Sequence, residues 1–352
     1  MLVQLQYTRA IAALLVVYFH SVIQLERLDP DTVFSGFRFG ETGVDLFFVL
    51  SGFVMWLTTA NRNMGPVTFY KRRIERIVPL YWALTLLAAA VAFALPSYLN
   101  STRFDVQHLV ASLFFIPWIN PASGSEQLIT PVIIPGWTLN FEMYFYLIFG
   151  SLLLLPERVR IAALAVVFGA IYVATSFGPL DGVLARFYGN AIVFEFLAGV
   201  VIAKLYLDKR TMPMPIALVL VPLAFLGLVL GDMLSPELPR LLSAGLPAAV
   251  IIYGLVSLDF SKVREFRFLH LLGDASYSLY LTHVFTLVAV RIFYRFQPFE
   301  WLNSGPVFLS VCLIASVFVA IVSYWVFEKP VASFLARRRR SGPTTARAVA
   351  PN

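Results

Sequence analysis

An all-α, polytopic transmembrane bundle is the fold class this sequence predicts, and three observations carry it. Hydrophobic residues make up 59% of the 352 residues and charged residues only 13%, about half the ~25% typical of a soluble domain. Mean hydropathy is +0.79. The apolar runs are continuous rather than alternating, which argues against a β-barrel.

Runs long enough to cross a bilayer, or nearly so, centre on 9–25, 43–60, 77–95, 137–155, 161–177, 187–206, 215–231, 241–257, 271–294 and 305–327, about ten spans in all. The N-terminus lacks a basic n-region and a small-residue cleavage site, so the first stretch is expected to remain a span rather than leave as a signal peptide. Loop charges then orient the chain. Connections 61–76, 156–160, 207–214 and 258–270 are basic, whereas 26–42 and 232–240 carry more acids than bases, and 296–304 has Glu300 and no base. Positive loops stay inside, so both termini are expected to be cytoplasmic. Arg291 and Arg295, near the outer end of the ninth span, depart from that pattern.

Between the third and fourth spans lies an outside stretch, 96–136, with a short apolar run at 107–119. That run is too short to cross and is expected to lie in the interface or re-enter as a lid. Residues 1–330 read as one membrane domain, and 331–352 as a basic, disordered cytoplasmic tail. The single cysteine, Cys312, excludes an intrachain disulfide. A net charge of +7 could suggest nucleic acid, but its clustering between spans fits membrane topology instead.

Several ionisable residues sit inside these apolar segments, where a charge costs roughly 2.5–3.5 kcal/mol on insertion scales unless paired or facing a wet cavity. Arg9 and His20 share the first span; eleven residues apart, they project from one helix face about 16 Å from each other. His20 can act as a general base toward a hydroxyl. The alternative is a packing histidine bonded to a nearby carbonyl. Glu142 shares a face with Thr138 and Tyr146 and lies at a depth compatible with His20. There its carboxylate would raise the basicity of the imidazole and fix its tautomer. Otherwise it is a protonated acid bridging two helices. His283, on a face with Ser276 and Tyr280, is a second site histidine or a hydrogen-bonded core residue.

Asp45 is expected to cap the second span or hold an arginine, Glu195 and Asp274 to be structural, and His108 and His270 to be solvated or interfacial. At the inner end of the third span stand Arg73 and Arg76, with Lys71 and Arg72 beside them. Basic residues belong there for topology alone. Converging with Arg9, however, they could grip phosphates through bidentate bonds. Residue chemistry thus points to a phosphate-bearing ligand entering from the cytoplasm toward a His/Glu centre.

The order of these motifs resembles the acyltransferase-3 family, integral membrane O-acyltransferases of bacterial surface glycans. The matching features are Arg9-x10-His20, the GVDLFFVLSGF run from Gly43 to Phe53, and Arg73-x-x-Arg76 ahead of Pro79 and Tyr81. They continue with Trp137-x4-Glu142, the LGDASYSLYLTH helix and a closing FEKP from Phe327 to Pro330. The opening LQYTRAIAALLVVYFH looks most like the exopolysaccharide-production branch. One departure is WTLNFE where the family usually has WSLxxE; Thr138 keeps the hydroxyl.

The resemblance implies acetyl-CoA, or another acyl-CoA, as donor and a sugar hydroxyl of an exported or lipid-linked glycan as acceptor. It assigns Arg9, Arg73 and Arg76 to the CoA phosphates, and His20 and Glu142 to acyl transfer, with His283 a further candidate. No tightly bound cofactor or metal is expected, since the thioester is already activated. The bacterial inner membrane is the expected location, with polysaccharide-export machinery a possible partner. Rival readings are a different envelope acceptor (lipid A, peptidoglycan, periplasmic glucan or a small molecule) and a proton-coupled transporter or flippase.

Overall fold

The computed structural model describes residues 2–36, 39–62, 64–95, 102–178, 182–234, 237–260, 264–296 and 304–340. Among them the regular secondary structure is helical, apart from an isolated bridge between Ile119 and Ile129. The helices are α1 Val3–Glu26, α2 Gly43–Thr59, α3 Pro66–Ala94, α4 Val106–Leu113, α5 Trp137–Leu152, α6 Glu157–Ser176 and α7 Val183–Tyr188. There follow α8 Val193–Leu207, α9 Met214–Leu234, α10 Leu246–Ser257, α11 Arg267–Asp274, α12 Ser276–Phe296, α13 Gly305–Ser323 and α14 Lys329–Arg340.

Among the described residues, eight stretches are long and apolar enough to cross a membrane. The runs expected at 137–155 and 241–257 form shorter helices. α5 has 16 residues, about 24 Å against a hydrocarbon core of ~30 Å, and a π-helical turn at Leu241–Gly245 leads into α10. The two ends of the bundle are called inner and outer here, after the sides that the loop charges predict.

Small residues set how closely the helices approach. α2 and α8 cross with backbones in contact: a Cβ on Gly52 would fall 1.9 Å from the Phe196 carbonyl oxygen, and one on Gly199 1.9 Å from that of Val49. Only glycine permits this approach, and small residues serve the same purpose at membrane helix interfaces generally. α1 is central, packing against α2, α11, α12 and α13. At its inner end Gly273 abuts the Gln6 carbonyl, and Gln6 Nε2 donates to Asp274 at 2.7 Å.

Asp45 holds an arginine, as one of its two sequence readings has it. Arg240 donates to both its oxygens, at 3.1 and 2.9 Å, and also to Glu41. Glu195 is buried beside this cluster.

Several expectations need correction. The run 271–294 is not one helix: the chain breaks between α11 and α12 at Ala275. The span expected at 187–206 is present within Val183–Leu207, with a turn between α7 and α8, where Asn190 Oδ1 accepts from the Ile192 amide at 3.0 Å. The tail expected to be disordered from 331 is helical to Arg340, because α14 grows from α13 through the π turn Tyr324–Glu328 and Arg339 pairs with Glu75 at 3.3 Å. Residues 341–352 of that tail lie outside the described residues.

His108 is buried rather than solvated. Asp105 caps α4 by accepting from the His108 amide at 2.7 Å, while the ring Nε2 bonds the Thr130 carbonyl at 2.8 Å. Desolvation there holds its imidazole below the ordinary value. α4 spans only about 12 Å and is tied to the outer half of α3, where Tyr81 Oη donates to the Ser112 carbonyl and Trp82 Nε1 to that of Leu113. His270 is half-exposed, 3.4 Å from Glu265 and 3.6 Å from Asp274.

Candidate active site

The sequence-derived candidates gather in two neighbouring places. The first is a cavity of about 110 Å³ lined by α1, α2, α3, α5 and α12. Its polar lining comprises Arg9, Ser51, Arg73, Arg76, Thr138 and Glu142, with Tyr146, Ser276, Tyr277 and Tyr280. Glu142 accepts from Ser51 Oγ at 3.1 Å and from Tyr146 Oη. Tyr146 stands one helical turn after Glu142, so α5 itself supplies that donor. The Arg73 guanidinium lies 5.4 Å from the Phe69 ring and 5.7 Å from the Tyr146 ring, with its buried Nε unpaired. A buried guanidinium held by aromatic faces, with a donor to spare, is suited to receive an anion.

Arg73 and Arg76 also line a larger groove, about 780 Å³, between α3 and α14 at the inner end. Lys71, Arg72, Arg339, Glu75 and Glu328 face it as well. The two spaces therefore meet at these arginines. Glu328, in the π turn, accepts from Ser278 Oγ at 2.5 Å and neighbours Arg9 and Arg76.

The second place is a histidine pair. His20 and His283 stand with ring centroids 4.9 Å apart. Each Nδ1 lies near the carbonyl four residues back, Val16 at 2.9 Å and Leu279 at 3.2 Å. A carbonyl only accepts, so in these bonds each Nδ1 carries the proton and each Nε2 keeps its lone pair. His283 Nε2 is buried without a partner. Tyr280 separates the pair from the cavity: its ring packs on His283 at 6.0 Å, and its hydroxyl meets Thr138 at 2.8 Å and the Pro135 carbonyl at 2.9 Å.

The expected contact between Glu142 and His20 is not made. Among the described residues the Glu142 partners are Ser51 and Tyr146, while the His20 ring neighbours are Phe19 and His283. The reason is lateral: α5 packs on α2, α3 and α8, whereas α1 packs on α12. Depth along a helix is readable from sequence, but the identity of its neighbour is not. Sequence reasoning also gave no role to Ser51 or Glu328. A hydroxyl in an otherwise apolar run and an acid beside the inner basic cluster were the available signals.

The acyltransferase domain of the acyltransferase-3 family matches residues 2–325. The chain belongs to that family. It is 34% identical to the exopolysaccharide production protein ExoZ of Rhizobium meliloti (strain 1021), over 88% of this chain and 94% of that protein. It is 26% identical to the acyltransferase MdmB of Streptomyces mycarofaciens, over 85% of this chain and 83% of that one. Against the peptidoglycan O-acetyltransferase OatA of Listeria monocytogenes, identity is 24% over 85% of this chain and 52% of OatA. No solved structure matches it significantly. As an acyltransferase-3 protein, the chain is a membrane-embedded acyltransferase, and the two places described above are where its chemistry must be sought.

Proposed function

We propose that this acyltransferase moves an acetyl group from cytoplasmic acetyl-CoA to a sugar hydroxyl of an exported or lipid-linked polysaccharide, in the bacterial inner membrane. The observation that carries the donor is the junction at Arg73 and Arg76, which line both the inner groove and the cavity. A nucleotide needs a pocket on the scale of several hundred Å³; the groove offers about 780 Å³ and the cavity about 110 Å³. The phosphates and adenosine would thus lie in the groove, and only the slim pantetheine arm would pass the arginines. Arg9, on α1, would complete the cationic collar. The polysaccharide acceptor rests on the likeness to ExoZ, and OatA shows that relatives acetylate another wall glycan. Membership in an acyltransferase family favours transfer over the transport alternative.

In transfer, the sugar oxygen attacks the thioester carbonyl, a C–O bond forms and the C–S bond breaks. The hydroxyl proton passes to His20 Nε2, and the imidazolium returns it to the departing thiolate, which leaves as CoA thiol. A second proton on the pair would set two cations 4.9 Å apart, costing roughly 3 kcal/mol at an effective dielectric of ~20. Beyond the two Nδ1 protons, the pair therefore takes up one further proton at a time, with His283 placed to share it. Glu142 acts on the donor side, balancing Arg73 and holding Tyr146, rather than orienting the base. Tyr280 must swing aside to join thioester and imidazole. The test is CoA-thiol release by the purified protein from acetyl-CoA with isolated glycan, alongside the acetyl content of secreted polysaccharide with and without the gene. Glycan acetylation unchanged by loss of the gene rejects the acceptor, and no acetyl-CoA turnover with any glycan rejects the reading.

A further inference from the structure

Beyond the histidine pair, toward the outer end, α1 and α12 face each other along a polar seam that the proposed chemistry does not use. His20, Gln24 and Arg27 follow at helical spacing on α1, and His283, Leu287, Arg291 and Tyr294 do so on α12. The helices pack together here: Leu287 and Tyr294 share a cluster with Val22 and Leu25. Arg27 lies about 10 Å past His20 along its helix, and Arg291 about 12 Å past His283 along the other. The two arginines therefore sit at one level.

Four buried polar atoms in this seam have no hydrogen-bond partner: His283 Nε2, Gln24 Oε1, Arg291 Nε and the Tyr294 hydroxyl. Buried polar groups are satisfied in the great majority of cases, so four in one seam call for a partner from outside the chain. Arg291 is the sharpest case. It is 5% exposed, packed inside the protein, whereas Arg27 and Arg295 are exposed and free to extend outward. The charged groups acting on it are Arg27 and Arg295, both cations. Among the described residues no carboxylate is paired with any of the three. Arg291 and Arg295 also break the inside-positive pattern of the loops, so topology does not account for them.

We infer that the outer α1–α12 seam binds the acceptor, and that Arg291, backed by Arg27 and Arg295, grips an anionic oxygen group on it: a phosphate of a lipid-linked sugar or a carboxylate of an acidic glycan. The inference rests on the acyl-transfer reading, since the seam opens from His20 and His283, where the acceptor hydroxyl would be activated. Gln24 and Tyr294 supply an acceptor and a donor suited to sugar hydroxyls. Holding the anion about 12 Å from the imidazoles would set one sugar hydroxyl at the base.

Binding without acetyl-CoA keeps the test independent of the donor. Purified protein in nanodiscs of phosphatidylcholine, which contributes no net charge, is titrated with farnesyl diphosphate, a glucuronate tetrasaccharide and farnesol. Arg291→Gln is expected to weaken one of the two anions by about tenfold or more, the loss of one charge-assisted hydrogen bond. Farnesol binding stays unchanged, and Arg291→Lys keeps part of the affinity. Weakening confined to the diphosphate identifies a lipid-linked acceptor; weakening confined to the tetrasaccharide identifies an acidic glycan. Because the diphosphate can also enter the arginine groove, the titrations are repeated in the Arg73→Gln with Arg76→Gln background, where the loss caused by Arg291→Gln should persist and the tetrasaccharide affinity should be unchanged. Equal binding with and without Arg291→Gln in that background, or no binding of either anion to it, overturns the inference. Should Arg291→Gln fail to insert, the same comparison is made with the exposed Arg27→Gln, for which a smaller loss is expected and no loss is again fatal.

Discussion

The imidazole of His20 lies 4.9 Å from that of His283, and each ring engages the carbonyl four residues back in its own helix. Both rings therefore hold a proton on Nδ1 and a lone pair on Nε2. Two helices far apart in sequence thus deliver two potential bases to one point, with Tyr280 between them and the arginine-lined cavity. A packing histidine would need only one such carbonyl bond. A pair whose Nε2 atoms both keep a lone pair, His283 Nε2 without any partner, is arranged to handle a proton.

His20→Ala should abolish acyl transfer while leaving the protein inserted and able to bind acetyl-CoA. Removing a general base typically lowers rates by about 10²–10⁴-fold. His20→Asn keeps the bond to Val16 but cannot take up the proton, so it should be equally inactive. His283→Ala should lower the rate by less if it only shares the proton. Single-turnover transfer and acetyl-CoA binding, measured separately, decide this; near-normal transfer by His20→Asn would reduce the pair to packing.

Arg73→Ala or Arg76→Ala should weaken acetyl-CoA binding, each removing a charge-assisted phosphate contact of roughly 1.5–3 kcal/mol. Lysine should rescue only partly, because it lacks the planar fork. Arg73 should be the more damaging site, since its buried guanidinium rests on Phe69 and Tyr146. Calorimetric titration of each variant with acetyl-CoA and with dephospho-CoA reads the effect directly. Wild-type affinity in the double variant would leave these arginines as topology signals.

Glu142→Gln tests the donor-side role that its contacts give it. The amide retains one acceptor for Ser51 or Tyr146 but loses the charge that balances Arg73. The expected outcome is a raised KM for acetyl-CoA with a smaller drop in kcat, and a milder loss than His20→Ala. A pure kcat effect with unchanged KM would return Glu142 to the imidazole side.

Much of the fold was legible because membrane helices announce themselves by length and apolarity. The polar residues marking the site were legible for the complementary reason, that burying them is costly. Lateral packing was not. Nothing in WTLNFEMYFYLIF says that Glu142 meets Ser51 of α2 rather than His20 of α1. Local breaks were also hidden: Asp274 and Ala275 read as a continuing helix, yet α11 ends there because it docks on Gln6. The helical course of 331–340 was masked by its charge, since composition alone cannot reveal that Arg339 has Glu75 opposite it.

Orientation can be read independently of chemistry. Reporter fusions after Leu95 should report outside, and fusions after Asp208 and Arg340 inside, because basic connections alternate with acidic ones. A consistently inverted pattern would place the arginine groove outside and remove cytoplasmic acetyl-CoA as donor.

Gly52→Ala should be among the most damaging small substitutions in the chain. The added Cβ would sit 1.9 Å from the Phe196 carbonyl oxygen and 2.8 Å from its carbon, both backbone atoms that cannot rotate away. α2 and α8 would have to separate by more than 1 Å to restore ordinary contact, and overpacking of this kind costs about 1–3 kcal/mol. Because Ser51 precedes Gly52 and donates to Glu142 at 3.1 Å, the same shift should disturb the cavity and lower acetyl-CoA affinity. Gly199→Ala attacks the same crossing from the other side, 1.9 Å from the Val49 oxygen, and should act alike. Gly169→Ala on α6 is the control: nothing lies within 4 Å of its Cβ, and replacing a helical glycine by alanine gains up to about 1 kcal/mol. Melting temperatures in detergent should fall for the first two and hold or rise for the third. If Gly52→Ala melts like wild type, the helices are not held as closely as their glycines allow.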